Sequence, residues 1–310
     1  MQDLCFKLLS VTEAAAVASY KCLGIGDEKK ADAVAVDAMR KSLNSLDISG
    51  TVVIGEGERD NAPMLYIGEK VGLGGIELDI ALDPLEGTTI CAHYKDGAMS
   101  VLAVTEKGGF LNAPDVYMEK IAVGSDVPKG VVSLRYDIRT NLCNLAEIKK
   151  CNISDLVVAV LNRERHLELI RNIRQCGARI KLIDDGDIST VVSLGQGHHD
   201  LYVGIGGAPE GVLAAAALLS TGGYIEGRLI INTDQLKARA KKFGISDIDK
   251  IYCIEEMVKS DSIFVATGIT DGSLVKGIKY TKDFFVIESV IIKSACIMRI
   301  NNTIPIGSMI

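Results

Sequence analysis

Residues 80–89 have the sequence IALDPLEGTT, and the rest of the chain is organised around this stretch. The run from Leu78 to Leu82, apolar except for Asp79, is typical of the end of a buried strand. Two acids, Asp83 and Glu86, follow it directly. Two carboxylates this close repel each other unless a cation lies between them, and hard divalent metal ions prefer such oxygen ligands.

The residues beside these acids favour a sharp bend. Pro84 fixes its own φ, and Gly87 permits a tight turn. Thr88 and Thr89 can cap a following helix and leave backbone N–H groups for an anion. The stretch therefore predicts metal-bridged phosphate chemistry. The alternative is a strand end whose acids are simply solvated.

Composition limits the class of protein. The chain has 310 residues, 48% of them hydrophobic and none of them tryptophan, which is enough for one large or two medium domains with aliphatic cores. The formal net charge of −6 argues against a nucleic-acid surface and against a polybasic membrane patch. No apolar run is long enough to span a bilayer, so we expect neither nucleic acid nor membrane as a partner.

The cysteines indicate a reducing environment. The eight cysteines are scattered and contain no C-x-x-C pair, which gives no support to zinc or iron–sulfur ligation. Residues 1–3, Met-Gln-Asp, lack the basic start of an export signal. We therefore expect reduced thiols and a cytoplasmic location.

The first half of the chain has mixed helix and strand signals. Residues 3–22 and 27–46 are typical of helices, with Asp27 as the N-cap of the second. Asp32 lies near the start of that helix, where an acid also favours the helix dipole. Residues 51–55 predict a buried strand followed by Glu56, which repeats the pattern of Asp83. A charged hairpin tip is the alternative explanation for Glu56.

The second half alternates strand and helix. Strands are predicted at 156–161, 179–183 and 201–205, with helices after each, which is typical of a parallel α/β domain. Strands return from about residue 262. We therefore predict an α/β protein with two domains: an α+β metal-binding domain over 1–152 and an α/β substrate-binding domain over 153–310.

Polar residues follow each of the three predicted parallel strands. The carboxyl ends of such strands share one edge of a sheet, where sites form. Arginines there suit a second phosphate, acids suit sugar hydroxyls, and glycines permit close backbone approach. The alternatives are a charged helix start, an Asp N-cap and a flexible glycine turn. The polar residues in question are Arg163, Glu164, Arg165, Asp185, Gly186, Asp187, Gly207 and Glu210.

Two nucleotide-binding motifs and zinc spacing are missing from the sequence. The dinucleotide fingerprint that would start at Gly204 fails, because its third glycine falls on Pro209. There is no G-x-x-x-x-G-K-[ST] loop. The four histidines have no zinc-ligand spacing. A nucleotide-dependent oxidoreductase is therefore disfavoured.

Several segments together resemble a known family. Asp32, GEGE at 55–58, DPLEGT at 83–88 and GGAPEG at 206–211 closely resemble the class II (GlpX-type) fructose-1,6-bisphosphatases. That family lies within the lithium-sensitive, metal-dependent sugar phosphatases. The resemblance extends from about residue 3 to about residue 300, and NAPD at 112–115 with YMEK at 117–120 also belongs to it.

The resemblance implies a fold and a reaction. The fold is an αβαβα layered arrangement. The reaction is the Mn²⁺- or Mg²⁺-dependent hydrolysis of the 1-phosphate of fructose 1,6-bisphosphate to fructose 6-phosphate, a step of gluconeogenesis. A homo-oligomer, dimer or tetramer, is also implied.

The resemblance further implies roles for individual residues. The metal-site acids would be Asp32, Glu56, Asp83, Glu86 and Glu210. The catalytic set would be Asp32, Glu56, Asp83, Glu86 and Thr88. Contacts to substrate would come from Glu86, Gly87, Thr88, Tyr117, Arg163, Glu164, Arg165, Asp185, Gly186, Asp187 and Gly207.

The sequence departs from the family's usual pattern in one segment and leaves alternatives open. The string Arg163-Glu164-Arg165-His166 stands where Lys-Pro-Arg-His is expected. A phosphatase that uses sedoheptulose 1,7-bisphosphate, alone or as well, is one alternative. A non-catalytic sugar-phosphate sensor is another.

Overall fold

Two helices begin the chain and pack against each other and against a sheet. The computed structural model describes residues 2–55 and 65–306. Helix α1 (Gln2–Tyr20) buries Leu8, Val11 and Ala15, and α2 (Glu28–Leu43) packs beside it. The side chain of Asp27 accepts a hydrogen bond from the backbone N–H of Lys30 at 2.9 Å, which confirms the predicted N-cap.

The described part of the chain contains further helices and fourteen strands. The remaining helices are α3 (Thr88–Ala92), α4 (Ile138–Lys149), α5 (Leu167–Cys176), α6 (Asp187–Val192), α7 (Ala208–Thr221), α8 (Asp234–Lys242) and α9 (Ile254–Met257). The strands are β1 (Ile48–Ile54), β2 (Lys70–Val71), β3 (Ile76–Glu86), β4 (Met99–Glu106), β5 (Tyr117–Val123), β6 (Val157–Leu161), β7 (Arg179–Ile183), β8 (Leu201–Gly207), β9 (Tyr224–Leu229), β10 (Ile251–Cys253), β11 (Ser262–Gly268), β12 (Lys279–Tyr280), β13 (Phe284–Lys293) and β14 (Cys296–Pro305).

The first sheet is mostly antiparallel. Its order is β12-β13-β11-β4-β3-β1-β2, and β14 pairs with β13. β1 and β3 are parallel, whereas the other pairs are antiparallel. Helix α1 covers one face, where Leu8, Val11, Ile80 and Val265 belong to one buried cluster. The parallel pair directs the carboxyl ends of β1 and β3 to the same edge.

The second sheet is mixed. Its order is β10-β9-β5-β8-β6-β7. β6 is parallel to β7 and β8, as predicted for the second half, but β5 is antiparallel to β8 and β9, and β10 is antiparallel to β9. The predicted α/β class is confirmed, and within this second sheet the parallel arrangement is confined to β6, β7 and β8.

The chain divides into two compact units whose boundaries differ from the predicted one near residue 152. The first unit is Met1–Phe110 with Ser260–Ile310, and the second is Leu111–Lys259. The difference has a physical cause in strand pairing. β5 hydrogen-bonds to β8 and β9, so it belongs with the second unit, whereas β11 pairs with β4 and β13 in the first.

Two further observations concern the cysteines and the helices. All eight cysteines are free thiols, as predicted, and Cys143 and Cys296 are exposed. Burial raises the pKa of the Cys91 thiol to about 11, which keeps it protonated and unreactive at neutral pH. Within residues 2–55 and 65–306, no helix has the length and apolar character needed to cross a membrane.

Candidate functional site

The acids of the DPLEGT segment lie at an irregular end of β3. The strand continues through Asp83 and ends at Glu86, so the expectation that it stops at Leu82 is wrong. A register shift between Asp83 and Glu86 against β4 marks a bulge, which allows the strand to continue past Pro84. The carboxylate of Asp83 accepts the N–H of Leu85 at 3.0 Å. We call residues 83–88 the acidic corner.

The turn into helix α3 depends on glycine. Gly87 has φ +87° and is the N-cap residue, in the left-handed region that other residues rarely adopt. No side chain caps this helix, so the prediction that Thr88 or Thr89 provides the cap is wrong. Thr88 is instead the first residue of the helix and is half-buried. Its hydroxyl is therefore not used for capping.

Asp32 lies on a helix that packs against both parts of the acidic corner. Helix α2 contacts β3 and α3. The side chain of Asp32 is half-buried, and burial raises the pKa of its carboxyl above the usual range. The predicted residues Asp32, Asp83, Glu86 and Thr88 therefore sit on three elements that pack together. Glu86 is almost completely buried.

The fourth predicted acid of this region, Glu56, lies outside the described residues. β1 runs parallel to β3, with Ile54 opposite Ala81, so the chain leaves β1 toward the edge where β3 ends. Within the described residues, no group of three or more His, Cys, Asp or Glu side chains forms a metal site. The donor types of Asp83 and Glu86 are nonetheless carboxylate oxygens alone, which suits Mg²⁺ or Mn²⁺.

The second unit contains a cavity that includes three predicted site residues. Its volume is about 400 Å³. Strand register explains the meeting of two of these residues, because Tyr117 on β5 is directly opposite Gly207 on β8. Glu210 follows in the first turn of α7. We call this cavity the Tyr117 pocket; it is lined by Asp115, Val116, Tyr117, Gly207, Glu210, Ile230, Asn232 and Leu236.

Arg165 lies over the ring of Tyr117. Its guanidinium carbon is 4.8 Å from the ring centroid, within the range of a cation–π contact. Its Nε and Nη2 atoms donate to the backbone carbonyl of Ile205 at 3.1 and 2.8 Å. This geometry fixes a positive charge beside the pocket. An arginine held this way can bind a phosphate through its remaining N–H groups.

His166 anchors the segment that carries Arg165. Nδ1 of its ring contacts the carbonyl of Leu161 at 2.8 Å, and Nε2 accepts the backbone N–H of Ile205 at 2.7 Å. This pattern needs the neutral tautomer with its proton on Nδ1. Burial lowers the pKa of His166, which is consistent with that neutral form. The ring lies against Gly204, where a side chain would crowd it.

A buried ion pair lies next to the wall of the Tyr117 pocket. Nζ of Lys120 is 2.5 Å from the carboxylate of Asp187, and both side chains are at least 95% buried. The hydroxyl of Tyr202 also donates to Asp187, at 2.7 Å. Lys120 donates a second bond to the carbonyl of Gly207 at 3.0 Å. Asp187 thus holds Lys120, and Lys120 fixes the backbone at the pocket wall.

Two glycines make this arrangement possible. A side chain at Gly206 would collide with the carboxylate of Asp187 and crowd Nζ of Lys120. One at Gly207 would collide with the carboxylate of Glu210. Close approach of charged groups, rather than an unusual φ, therefore explains the glycines of GGAPEG at these two positions.

The remaining predicted residues are more loosely connected. Arg163 forms a long ion pair with Asp185 at 3.5 Å, and both side chains are partly exposed. Gly186 has φ +75° and starts helix α6. Glu164 is exposed in a short 3₁₀ turn, and no described contact brings it to the Tyr117 pocket. The structure therefore connects Tyr117, Arg165, Asp187, Gly207 and Glu210 closely, and Glu164 not at all.

Sequence reasoning missed the contributions of Lys120, His166 and Tyr202. A signal existed for Lys120, because a lysine within the apolar strand β5 needs a buried partner. His166 follows the predicted Arg165 directly. Its backbone partners are the carbonyl of Leu161 on the preceding strand and the N–H of Ile205, which is far away in the sequence, so no local pattern marks either contact. The wall residues Ile230, Asn232 and Leu236 carried no signal, since they reach the pocket only through tertiary folding.

Comparisons with known proteins agree on one family. The family model described as "Bacterial fructose-1,6-bisphosphatase, glpX-encoded" matches residues 2–304. A "D-fructose 1,6-bisphosphatase class 2/sedoheptulose 1,7-bisphosphatase" of Synechococcus sp. (strain JA-2-3B'a(2-13)) is 46% identical over 303 residues, covering 88% of this chain and 87% of the relative. A protein of the same description from Prochlorococcus marinus (strain MIT 9515) is 44% identical and covers 98% of this chain and 96% of the relative.

A solved structure shows a weaker likeness. An IMPase from Thermotoga maritima is similar with a TM-score of 0.37 and 14% sequence identity, covering 65% of this chain and 76% of the other. A likeness of this strength says nothing about function.

Proposed function

We propose that this chain, which belongs to the glpX-encoded bacterial fructose-1,6-bisphosphatase family, hydrolyses the 1-phosphate of fructose 1,6-bisphosphate. The products are fructose 6-phosphate and inorganic phosphate. The relatives at 44% and 46% identity are named for this reaction, and each is matched over most of its length.

One observation supports the proposal most strongly: Tyr117, Gly207 and Glu210 line a single pocket beside the fixed charge of Arg165. These residues come from three separate segments, and the resemblance predicted all four as site residues. A cation held by two bonds to the carbonyl of Ile205 suits a phosphate better than a neutral sugar. We assign binding of the sugar phosphate, including its distal phosphate, to this unit.

The acidic corner carries the reaction in this proposal. Asp83 and Glu86 would hold Mn²⁺ or Mg²⁺, together with Glu56 and Asp32. A bound divalent ion neutralises phosphate charge and promotes attack by water, which is the chemistry such ions supply to phosphoryl transfer. The residues fit this role by donor type, because all four offer carboxylate oxygens.

The protein's own groups have defined tasks beyond metal binding. Thr88, whose hydroxyl is not used as a helix cap, orients the phosphate or the attacking water. Gly87 permits the turn that places Thr88 at the start of α3. The acidic corner contains no serine or cysteine, and its one hydroxyl, that of Thr88, is assigned to positioning. This is consistent with direct transfer to water, which depends mainly on positioning and charge neutralisation.

Asp185, Arg163 and the Asp187–Lys120 pair complete the binding side. Arg163 and Asp185 are partly exposed, so both are accessible to substrate hydroxyls or phosphate. Asp187 acts through Lys120, as a positioning residue for the carbonyl of Gly207. We further propose that the enzyme is a cytoplasmic homo-oligomer of gluconeogenesis.

Sedoheptulose 1,7-bisphosphate is a second candidate substrate. The relatives in Synechococcus and Prochlorococcus carry both activities in their names. The seven-carbon sugar presents the same 1-phosphate with one more carbon before the distal phosphate. A dual activity therefore requires the Tyr117 pocket to accept two positions of that phosphate.

The test is phosphate release from the purified protein with Mn²⁺, with Mg²⁺ and with chelator. We expect release from fructose 1,6-bisphosphate that requires metal. A parallel arm with sedoheptulose 1,7-bisphosphate decides between single and dual specificity. Folded protein that binds fructose 1,6-bisphosphate but releases no phosphate with either metal would overturn the proposal in favour of a sugar-phosphate sensor.

A further inference from the structure

The last strand of the described chain has one free edge. β14 is ten residues long and pairs with β13 over its entire length, from Cys296 opposite Lys293 to Pro305 opposite Phe284. Within residues 2–55 and 65–306, no strand pairs with its other side. Ile297 on this strand is 45% exposed although it is a large apolar residue. A long unpaired edge is a site at which another strand can add.

The other sheet edges are protected, and β14 is not. β2 and β12 have two residues each and β10 has three, so each is too short to template another strand. β7 has five residues and carries Arg179 and Lys181, charges that discourage pairing. β14 contains no Lys, Asp or Glu, and its one cation, Arg299, is engaged by Glu288 and the carbonyl of Leu274.

Hairpin geometry identifies which backbone groups of β14 face outward. Ser294 and Ala295 both have positive φ, +48° and +63°, as a two-residue type I′ turn requires. The flanking pair Lys293–Cys296 is then hydrogen-bonded, and bonding alternates along an antiparallel ladder. The residues whose N–H and C=O groups point away from β13 are therefore Ile297, Arg299, Asn301 and Thr303.

This edge can pair with a second copy of itself in a register centred on Asn301. In an antiparallel pair of two identical strands, one residue lies opposite its own copy. If that residue is Asn301, then Arg299 faces the partner's Thr303 and Ile297 faces the partner's Pro305. No like charges meet, and all the outward-facing residues are used. A register centred on Arg299 would instead place two guanidinium groups opposite each other, which is destabilising.

We propose that β14 pairs with β14 of a second copy of this chain, antiparallel and centred on Asn301, so that the first sheets of two protomers join. Strand addition of this kind uses main-chain hydrogen bonds for affinity. The proposal specifies the surface for the homo-oligomer named above and rests on that self-association. It does not depend on the reaction or on the substrate.

Two substitutions at one position test the backbone ladder. Asn301→Pro removes an outward-facing N–H and leaves the bonds between β14 and β13 in place, whereas Asn301→Ala keeps the N–H and removes only the side chain. Light scattering after size exclusion should show the wild type and Asn301→Ala as oligomers of equal mass. Asn301→Pro should have half that mass or less, with unchanged circular dichroism.

Cross-linking tests the register without relying on a proline. Cys143 and Cys296 are first replaced by serine, and a cysteine is placed at Asn301 or, as the matched control, at Thr303. Directly opposite residues have Cβ atoms about 5 Å apart, whereas Thr303 and its own copy would be separated by about 13 Å along the strands. A short bifunctional thiol reagent should therefore produce covalent dimers with Asn301→Cys at least about tenfold faster than with Thr303→Cys.

The outcomes separate this proposal from the assignment of function. A wild-type monomer would overturn self-association and this surface together. An oligomer that persists in Asn301→Pro and cross-links equally at both positions would place the interface elsewhere and leave self-association intact. Phosphate release measured on the same samples reports on the proposed reaction independently of either result.

Discussion

The acidic corner and the Tyr117 pocket are built in opposite ways. The corner is local: six consecutive residues, 83–88, supply the acids, the bulge, the left-handed glycine and the start of α3. The pocket is assembled from distant segments, with Tyr117, Arg165 and Glu210 on different elements. A local site can be recognised in the sequence as a motif. A site built from several segments becomes visible only when strand register and buried contacts are known.

The two regions also differ in what stabilises them. At the corner, Asp83 bonds to a backbone N–H two residues away, and Gly87 provides the turn. At the pocket, buried charges stabilise the structure, because Lys120 and Asp187 form an ion pair out of contact with water. The corner should therefore tolerate charge changes with little loss of stability but great loss of activity. The pocket should lose stability when one charge is removed.

The largest expected effect is on turnover, from Asp83→Asn. Replacing a candidate metal ligand should lower kcat by more than the roughly 10- to 100-fold typical of losing an outer-shell partner. The fold should persist, because asparagine can still accept the N–H of Leu85. Asp79→Asn on the same strand is the matched control, since Asp79 bonds to the N–H of Gly108 away from the corner. Equal activity of the two variants would contradict the role of the corner.

The next largest effect is a loss of stability when the buried ion pair beside the Tyr117 pocket is broken. Lys120→Met leaves the carboxylate of Asp187 buried without its cation and should lower the free energy of unfolding by about 3–5 kcal/mol. Urea unfolding measures this change. Adding Asp187→Asn to Lys120→Met removes the uncompensated charge and should recover part of the loss. A double variant no more stable than Lys120→Met would show that the ion pair is not the cause.

A smaller effect is expected in the pH dependence of stability. Burial lowers the pKa of His166 and of His199 in the folded protein below the ordinary value of 6.5. As pH falls below 6.5, the unfolded chain takes up protons that the folded protein does not. The free energy of unfolding therefore decreases, by at most about 1.4 kcal/mol per pH unit for each histidine.

Single substitutions isolate this contribution. His166→Gln and His199→Gln should each flatten part of the decrease in unfolding free energy between about pH 7 and about pH 5.5, because each removes one histidine whose pKa burial lowers in the folded protein. Urea titrations of the three proteins at each pH provide the comparison. Parallel curves for the wild type and His166→Gln would mean that His166 is not held neutral.

The sequence predicted those features that depend on neighbours along the chain. The N-cap at Asp27 and the strands of the second half were found because their signals are local. The domain boundary differed, because the pairing of β5 with β8 and of β11 with β4 depends on contacts far apart in the chain. The N-cap position of Gly87 was not predicted. Thr88 and Thr89 follow it, and threonine is a common N-cap residue, so the sequence favoured a threonine cap over a glycine with left-handed φ.

The same distinction explains the candidate site. Asp83, Glu86 and Gly87 were predicted from one motif. Lys120 and His166 received no role, although they fix the pocket wall and the Arg165 segment, because their partners Asp187, Gly207 and Ile205 lie far away in the sequence. Residues that only position other site residues leave no recognisable motif in the sequence.

The division of labour between corner and pocket is tested most directly with two substrates and Arg165→Met. The measurement is kcat/KM for fructose 1,6-bisphosphate and for fructose 1-phosphate, which lacks the distal phosphate. If Arg165 binds that phosphate, Arg165→Met should lower kcat/KM for the bisphosphate by about 10- to 100-fold, mainly through KM. The value for fructose 1-phosphate should not change. Arg171→Met, on the exposed face of α5, is the matched control and should affect neither. An equal loss for both substrates in Arg165→Met would contradict the assignment of the distal phosphate to the Tyr117 pocket.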